Sequence, residues 1–185
     1  EVHAGDRIGE VRLRRAMIAA QVGDDFDRVW QLGVASGLAV GYLLAGEAAL
    51  VSGEREQARK LFDQVDDGGS AAATAQTYVA LIDDPEPLVA GLCESQALWA
   101  LGKRQAAVRS VADLLPRYPD DREDRNQRLL TWAGRAATVG RVKTCKKLLK
   151  AMVGAPPGQK WRQRATLAMP VRADGDVDKC VERRD

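Results

Sequence analysis

His3 is the single histidine in 185 residues, and it stands at the edge of the sequence. Histidine is the usual acid–base group near neutral pH and a common zinc ligand, so one copy removes most of both chemistries. Cys93, Cys145 and Cys180 lie 52 and 35 residues apart, with no CxxC pair to make a zinc knuckle or a dithiol redox centre. An odd number at wide spacing fits reduced, buried thiols rather than a disulfide framework. Asp174, Asp176 and Asp178, with Asp185 at the twelfth place, copy part of a calcium loop. Lys179, however, takes the place where that loop needs glycine, and no flanking helix follows. The acidic pairs Asp66-Asp67 and Asp83-Asp84 fall where helices are expected to end, and capping accounts for them. There is no GxGxxG, P-loop, nucleophile elbow or HExxH. The expectation is a chain that is not an enzyme, with no catalytic residue, no metal and no cofactor.

Charge offers a second kind of chemistry. Residues 1–92 carry 8 Lys or Arg against 15 Asp or Glu, while residues 93–185 carry 20 against 11. Arg141, Lys143, Lys146, Lys147 and Lys150 crowd one expected helix, and Lys160, Arg162 and Arg164 follow. Such a patch could meet an acidic partner, permit self-association between oppositely charged halves, or neutralise phosphates with Trp161 as a stacking surface. Against nucleic acid stand the near-neutral whole chain (net +2), the 5% aromatic content and the lack of a helix-turn-helix or RNP-like motif.

The elements that would position these groups are helices. The composition is rich in Ala, Leu and Arg, poor in aromatics, and no run alternates as a strand would. Leu13, Met17 and Ala20 mark an opening helix up to Gly23, with Arg12, Arg14 and Arg15 on its other face. Further helices are expected from about Phe26, then over 38–51, 54–65 and 71–82, from the stop at 83–87 to Gly102, and over 103–115, 124–139 and 141–153, with a last one near 160–169. Residues 29–46 carry no charge, but four glycines, Gln31 and Ser36 keep them less apolar than the ~20 residues of a membrane span. Gly33, Gly37 and Gly41 suit instead the close approach of two helix backbones.

Internal repetition is the strongest signal. Gly53, Gly102 and Gly140 each separate two helices. Seven residues before each lies a small side chain (Gly46, Ser95, Ala133), and five after each lies another (Ala58, Ala107, Cys145). Four further on come Phe62, Val111 and Leu149, and eight beyond those Ser70, Pro119 and Pro157. Antiparallel helices pack closely only where small residues meet, and glycine supplies the left-handed exit between them.

In these positions the chain resembles the tetratricopeptide repeat family. The resemblance implies an all-α fold of antiparallel hairpins stacked as a right-handed superhelix, with repeats at about 39–72, 88–121 and 126–159. Residues 6–36, with Ala16 and Gly23, look like a degenerate copy whose match fails at Arg28. One domain is expected over 1–169, followed by a polar, flexible tail over 170–185. About 15 residues holding an Ala-rich helix are inserted between the first two repeats. The early aromatic of the family survives only as Tyr42, with Gly91 and Leu129 in its place elsewhere. A generic α-α superhelix is the alternative.

The resemblance also implies a concave groove lined by the first helix of each hairpin. Its register places Leu43, Glu47 and Leu50 there, then Leu92, Gln96 and Trp99, then Gln127, Leu130 and Gly134. The Lys, Arg and Asn that grip a terminal carboxylate in some family members are missing. The implied function is a protein-interaction scaffold taking a partner helix or apolar peptide, unless the chain's own segments fill the groove. The alternatives are an acidic partner or nucleic acid on the basic half, or an assembly module of a larger enzyme. Reduced thiols favour the cytoplasm; the chain starts at Glu1, which also suits a fragment or a processed periplasmic form.

Overall fold

The computed structural model describes residues 4–66, 68–84, 86–118 and 125–151. They form α1 (Ala4–Val22), α2 (Phe26–Ser36), α3 (Ala39–Val51), α4 (Arg55–Phe62), α5 (Ser70–Ile82), α6 (Pro87–Ala100), α7 (Arg104–Leu114), a 3-10 turn (Leu115–Arg117), α8 (Arg125–Thr138) and α9 (Val142–Lys150). The chain is all-α, with no strand among the described residues. The helix expected near 160–169 and the tail lie outside them. Two compact units are present, Glu1–Ala107 and Val108–Asp185, the division falling within α7.

Three of the turns are built alike, hydrogen bond for hydrogen bond. After α3, the Gly53 N–H donates to Leu50 O (3.1 Å) and the Glu54 N–H to Ala49 O (2.9 Å). After α6, Gly102 donates to Trp99 O (3.1 Å) and Lys103 to Leu98 O (2.8 Å). After α8, Gly140 donates to Ala137 O (2.9 Å) and Arg141 to Ala136 O (2.8 Å). This is the Schellman helix stop, and it needs a left-handed residue; the three glycines have φ of 84°, 81° and 73°. The residue after each glycine then starts the next helix, its carbonyl accepting from Ala58, Ala107 or Cys145.

Those three small residues are fully buried, as are Ser95 and Ala133. The apolar positions Phe62, Val111 and Leu149 are buried too. Gly46 shows why size matters: a Cβ there would stand 2.4 Å from the Phe62 ring. Phe62 in turn stacks flat on Tyr78, ring centroids 4.8 Å apart at 3°. Small side chains thus let the rods touch, and the larger neighbours fill the seam.

The first hairpin obeys the same rule with a longer turn. Gly23 lacks a positive φ, and Asp25, two residues later, caps α2 by accepting from Arg28 N. The inward position four residues after the cap is therefore Val29, fully buried, while Arg28 points to water. The inward position is shifted by one residue from Arg28, and it holds Val29 where the other hairpins have Ala58, Ala107 and Cys145. Val29 joins Ala20, Ala48 and Leu101 in a core flanked by Phe26, Trp30, Leu44 and Val51.

The uncharged stretch 29–46 folds as two helices. Gly37, with φ of 68°, is the left-handed stop of α2, and α3 starts at once. Gly33 and Gly41 are the contact point: a Cβ on Gly33 would lie 2.6 Å from Gly41 O. No helix among the described residues is long and apolar enough to cross a membrane.

Candidate binding surfaces

In the first unit, the face of α3 that the groove register selects is met by α5. Glu47 is buried, and its Oε1 accepts a hydrogen bond from the Tyr78 hydroxyl at 3.1 Å. Burial pushes the Glu47 carboxyl up to about 8, against the opposing pull of that hydrogen bond. At neutral pH it is therefore a neutral acid, which removes the cost of burying a charge. Leu50 is completely buried, whereas Leu43 is only half-buried. α5 thus covers Glu47, one of the residues expected to line the groove, with a side chain of the same chain.

Leu92 on α6 is buried, and Gln96 and Trp99 are half-buried. Gln96 lines a cleft of about 290 Å³ with Thr74, Thr77, Tyr78 and Leu81. The Arg104 guanidinium lies 5.5 Å from the Trp99 ring centre, a cation–π contact. On the other side of α5, Arg59 binds Asp83 through two nitrogens (3.0 and 3.1 Å) and Asp63 through the third (3.0 Å). That hydrogen bond, more than the charge, holds the Asp83 carboxyl below its ordinary range. Asp83 ends α5, so Arg59 ties α4 to α5.

In the second unit, Gln127 is exposed and Leu130 buried on α8. α9 is sharply two-sided. Cys145, Leu148 and Leu149 are buried, while Arg141, Lys143, Lys146, Lys147 and Lys150 are exposed. The last four are spaced three, one and three apart, which aligns them on one helix face. Lys147 Nζ bonds Asp113 Oδ1 at 2.7 Å and lowers that carboxyl first by the hydrogen bond and then by its charge. Lys160, Arg162 and Arg164 lie outside the described residues.

Part of the basic excess is structural. Arg125 is buried, donating from Nε to Tyr118 O (2.8 Å) and from its two terminal nitrogens to Ala151 O (2.5 Å) and Pro116 O (3.5 Å). Arg128 and Arg135 lie over the rings of Tyr118 and Trp132. Sequence alone gave no sign that Arg125 is a clasp, since its three acceptors are backbone atoms brought in by the fold. Cys93 and Cys145 are buried and in no disulfide, and burial pushes the Cys93 thiol up to about 12. Among the described residues no group of His, Cys, Asp or Glu could hold a metal ion. No family model, curated protein or solved structure matches the chain.

Proposed function

We propose that this chain is a non-catalytic scaffold of tetratricopeptide-like hairpins, stacked as a superhelix, that binds another protein. One observation carries the reading: three hairpins repeat the same turn and bury the same small positions. Repetition of that kind spends sequence on a scaffold whose open faces are recognition surfaces. With Tyr78 of α5 over Glu47, the groove positions of the first unit that keep exposed surface are Leu43, Gln96 and Trp99. Crosslinking pull-down with the wild type, Leu43→Asp and Trp99→Ala tests it. A partner retained at high salt by the wild type and lost by both variants is expected. Equal retention by all three refutes the groove.

The α9 stripe favours a second reading, an acidic partner or nucleic acid. It predicts binding that falls steeply with salt and disappears when Lys146, Lys147 and Lys150 are reversed in sign.

A further inference from the structure

α1 has two apolar faces, and the fold uses one. Gly9, Leu13, Ala16 and Ala20 face inward: a Cβ on Gly9 would stand 2.6 Å from Ser36 O, and Ala16 and Ala20 are buried. On the opposite side, Ile8, Val11, Ile18 and Val22 are 54, 50, 59 and 83% exposed. With Arg15 they stand at 8, 11, 15, 18 and 22, a spacing of three and four in strict alternation. That is a heptad seam, with Ile8, Arg15 and Val22 at a and Val11 and Ile18 at d. Single exposed aliphatics need no explanation, but a row of four β-branched side chains along one helix marks an interaction face.

Charge selects what lies on it. Arg7 and Arg14 occupy g positions and Arg15 the central a, Arg12 at e donates a hydrogen bond to Ala35 O (2.7 Å), and Glu10 is the one acid between residues 7 and 22. Residues at e and g set the partner of a paired helix, and a polar residue at one a position sets its register. A second copy fits badly. Parallel pairing stacks Arg15 on Arg15 and sets Arg7 beside Arg12; antiparallel pairing with Arg15 opposite Val11 sets Arg14 beside Arg14, and with Arg15 opposite Ile18 it leaves Ile8 beyond the end of the other helix. A lipid surface also fits poorly, because the stripe lacks the Trp, Phe and Leu of interfacial helices.

We propose that the outer face of α1 is a seam for a partner protein's amphipathic helix, aliphatic at its a and d positions and acidic at e, g and opposite Arg15. The inference rests on the scaffold reading and deepens it by naming the partner's chemistry and a face separate from Leu43 and Trp99.

The probe is a labelled three-heptad peptide with Ile at a, Leu at d, and Glu at every e and g and at the central a. A counterpart carries Lys in place of each Glu. Titrated against the full chain by fluorescence anisotropy, the acidic peptide binds at least about tenfold tighter than the basic one. Ile8→Glu with Ile18→Glu abolishes that binding, and Arg14→Glu with Arg15→Glu moves the preference to the basic peptide. These side chains face solvent, so circular dichroism melts of the variants match the wild type. Equal affinity for both peptides, or binding that survives Ile8→Glu with Ile18→Glu, overturns the inference. So does association through these residues with phosphatidylserine vesicles, or a concentration-dependent dimer, without affinity for the acidic peptide. Trp99→Ala leaves peptide binding unchanged. If it removes peptide binding instead, the seam is overturned while the scaffold reading stands.

Discussion

Replacing Glu47 by Gln should make the stability of this protein less dependent on pH. The carboxyl is buried and pushed up from 4.5 to about 8, whereas in the unfolded chain it ionises near the ordinary value. Below pH 4.5 it is protonated in both states and has no effect. From there to about pH 8 the native state holds a proton that the unfolded state has lost, so stability falls as pH rises. Above pH 8 both states are ionised and the loss stops growing. Each pH unit costs about 1.4 kcal/mol, so the wild type loses on the order of 3 kcal/mol between pH 5 and 7 through this group alone. Gln is isosteric, carries no proton to lose and keeps a carbonyl oxygen for the Tyr78 hydroxyl. The carboxyls lowered by Arg59 and Lys147, Asp83 and Asp113, titrate below this window and act in the opposite direction. The assay is urea denaturation followed by circular dichroism at pH 5, 6, 7 and 8, on both proteins. The expected outcome is a steeper fall for the wild type, with Glu47→Gln the more stable of the two at pH 8. Parallel pH profiles would refute the burial of an ionisable group at this position.

Two further perturbations test the packing. Gly53→Ala, Gly102→Ala and Gly140→Ala each place a Cβ on a left-handed residue and should each lower the unfolding free energy by about 1–2 kcal/mol. Asn at the same positions should cost less, and a thermal or urea melt showing no loss for Ala would contradict the Schellman stops. Arg125→Ala should cost about 2–4 kcal/mol, from charge-assisted bonds to three carbonyls and the space left behind. Arg125→Lys should restore only a part, because an ammonium cannot span the same acceptors; full recovery with Lys would contradict the clasp.

Local grammar was legible in the sequence. Helix stops at Gly53, Gly102 and Gly140 follow from a conformation that glycine adopts without strain, and the small residues around them announce helix crossings. The α9 stripe was equally plain, because charges three and four apart share a face whatever surrounds the helix. The opening helix was harder. Leu13, Met17 and Ala20 look like one apolar stripe, yet Met17 is 46% exposed and the buried line runs through Gly9, Ala16 and Ala20. Two apolar faces on one helix give no local sign of which faces inward.

The amino-acid order therefore determined the helices, their stops and the hairpins, since each depends on backbone preferences and side-chain spacing within a few residues. Tertiary structure decided three other things. It placed α5 against α3, which buried Glu47 beneath Tyr78; it turned Arg125 inward onto three carbonyls; and it left Ile8, Val11, Ile18 and Val22 uncovered. Each is a contact, or a missing contact, between groups far apart in the chain. Burial, and with it the protonation of a carboxyl or the openness of a helix face, depends on which neighbours the folded chain brings there.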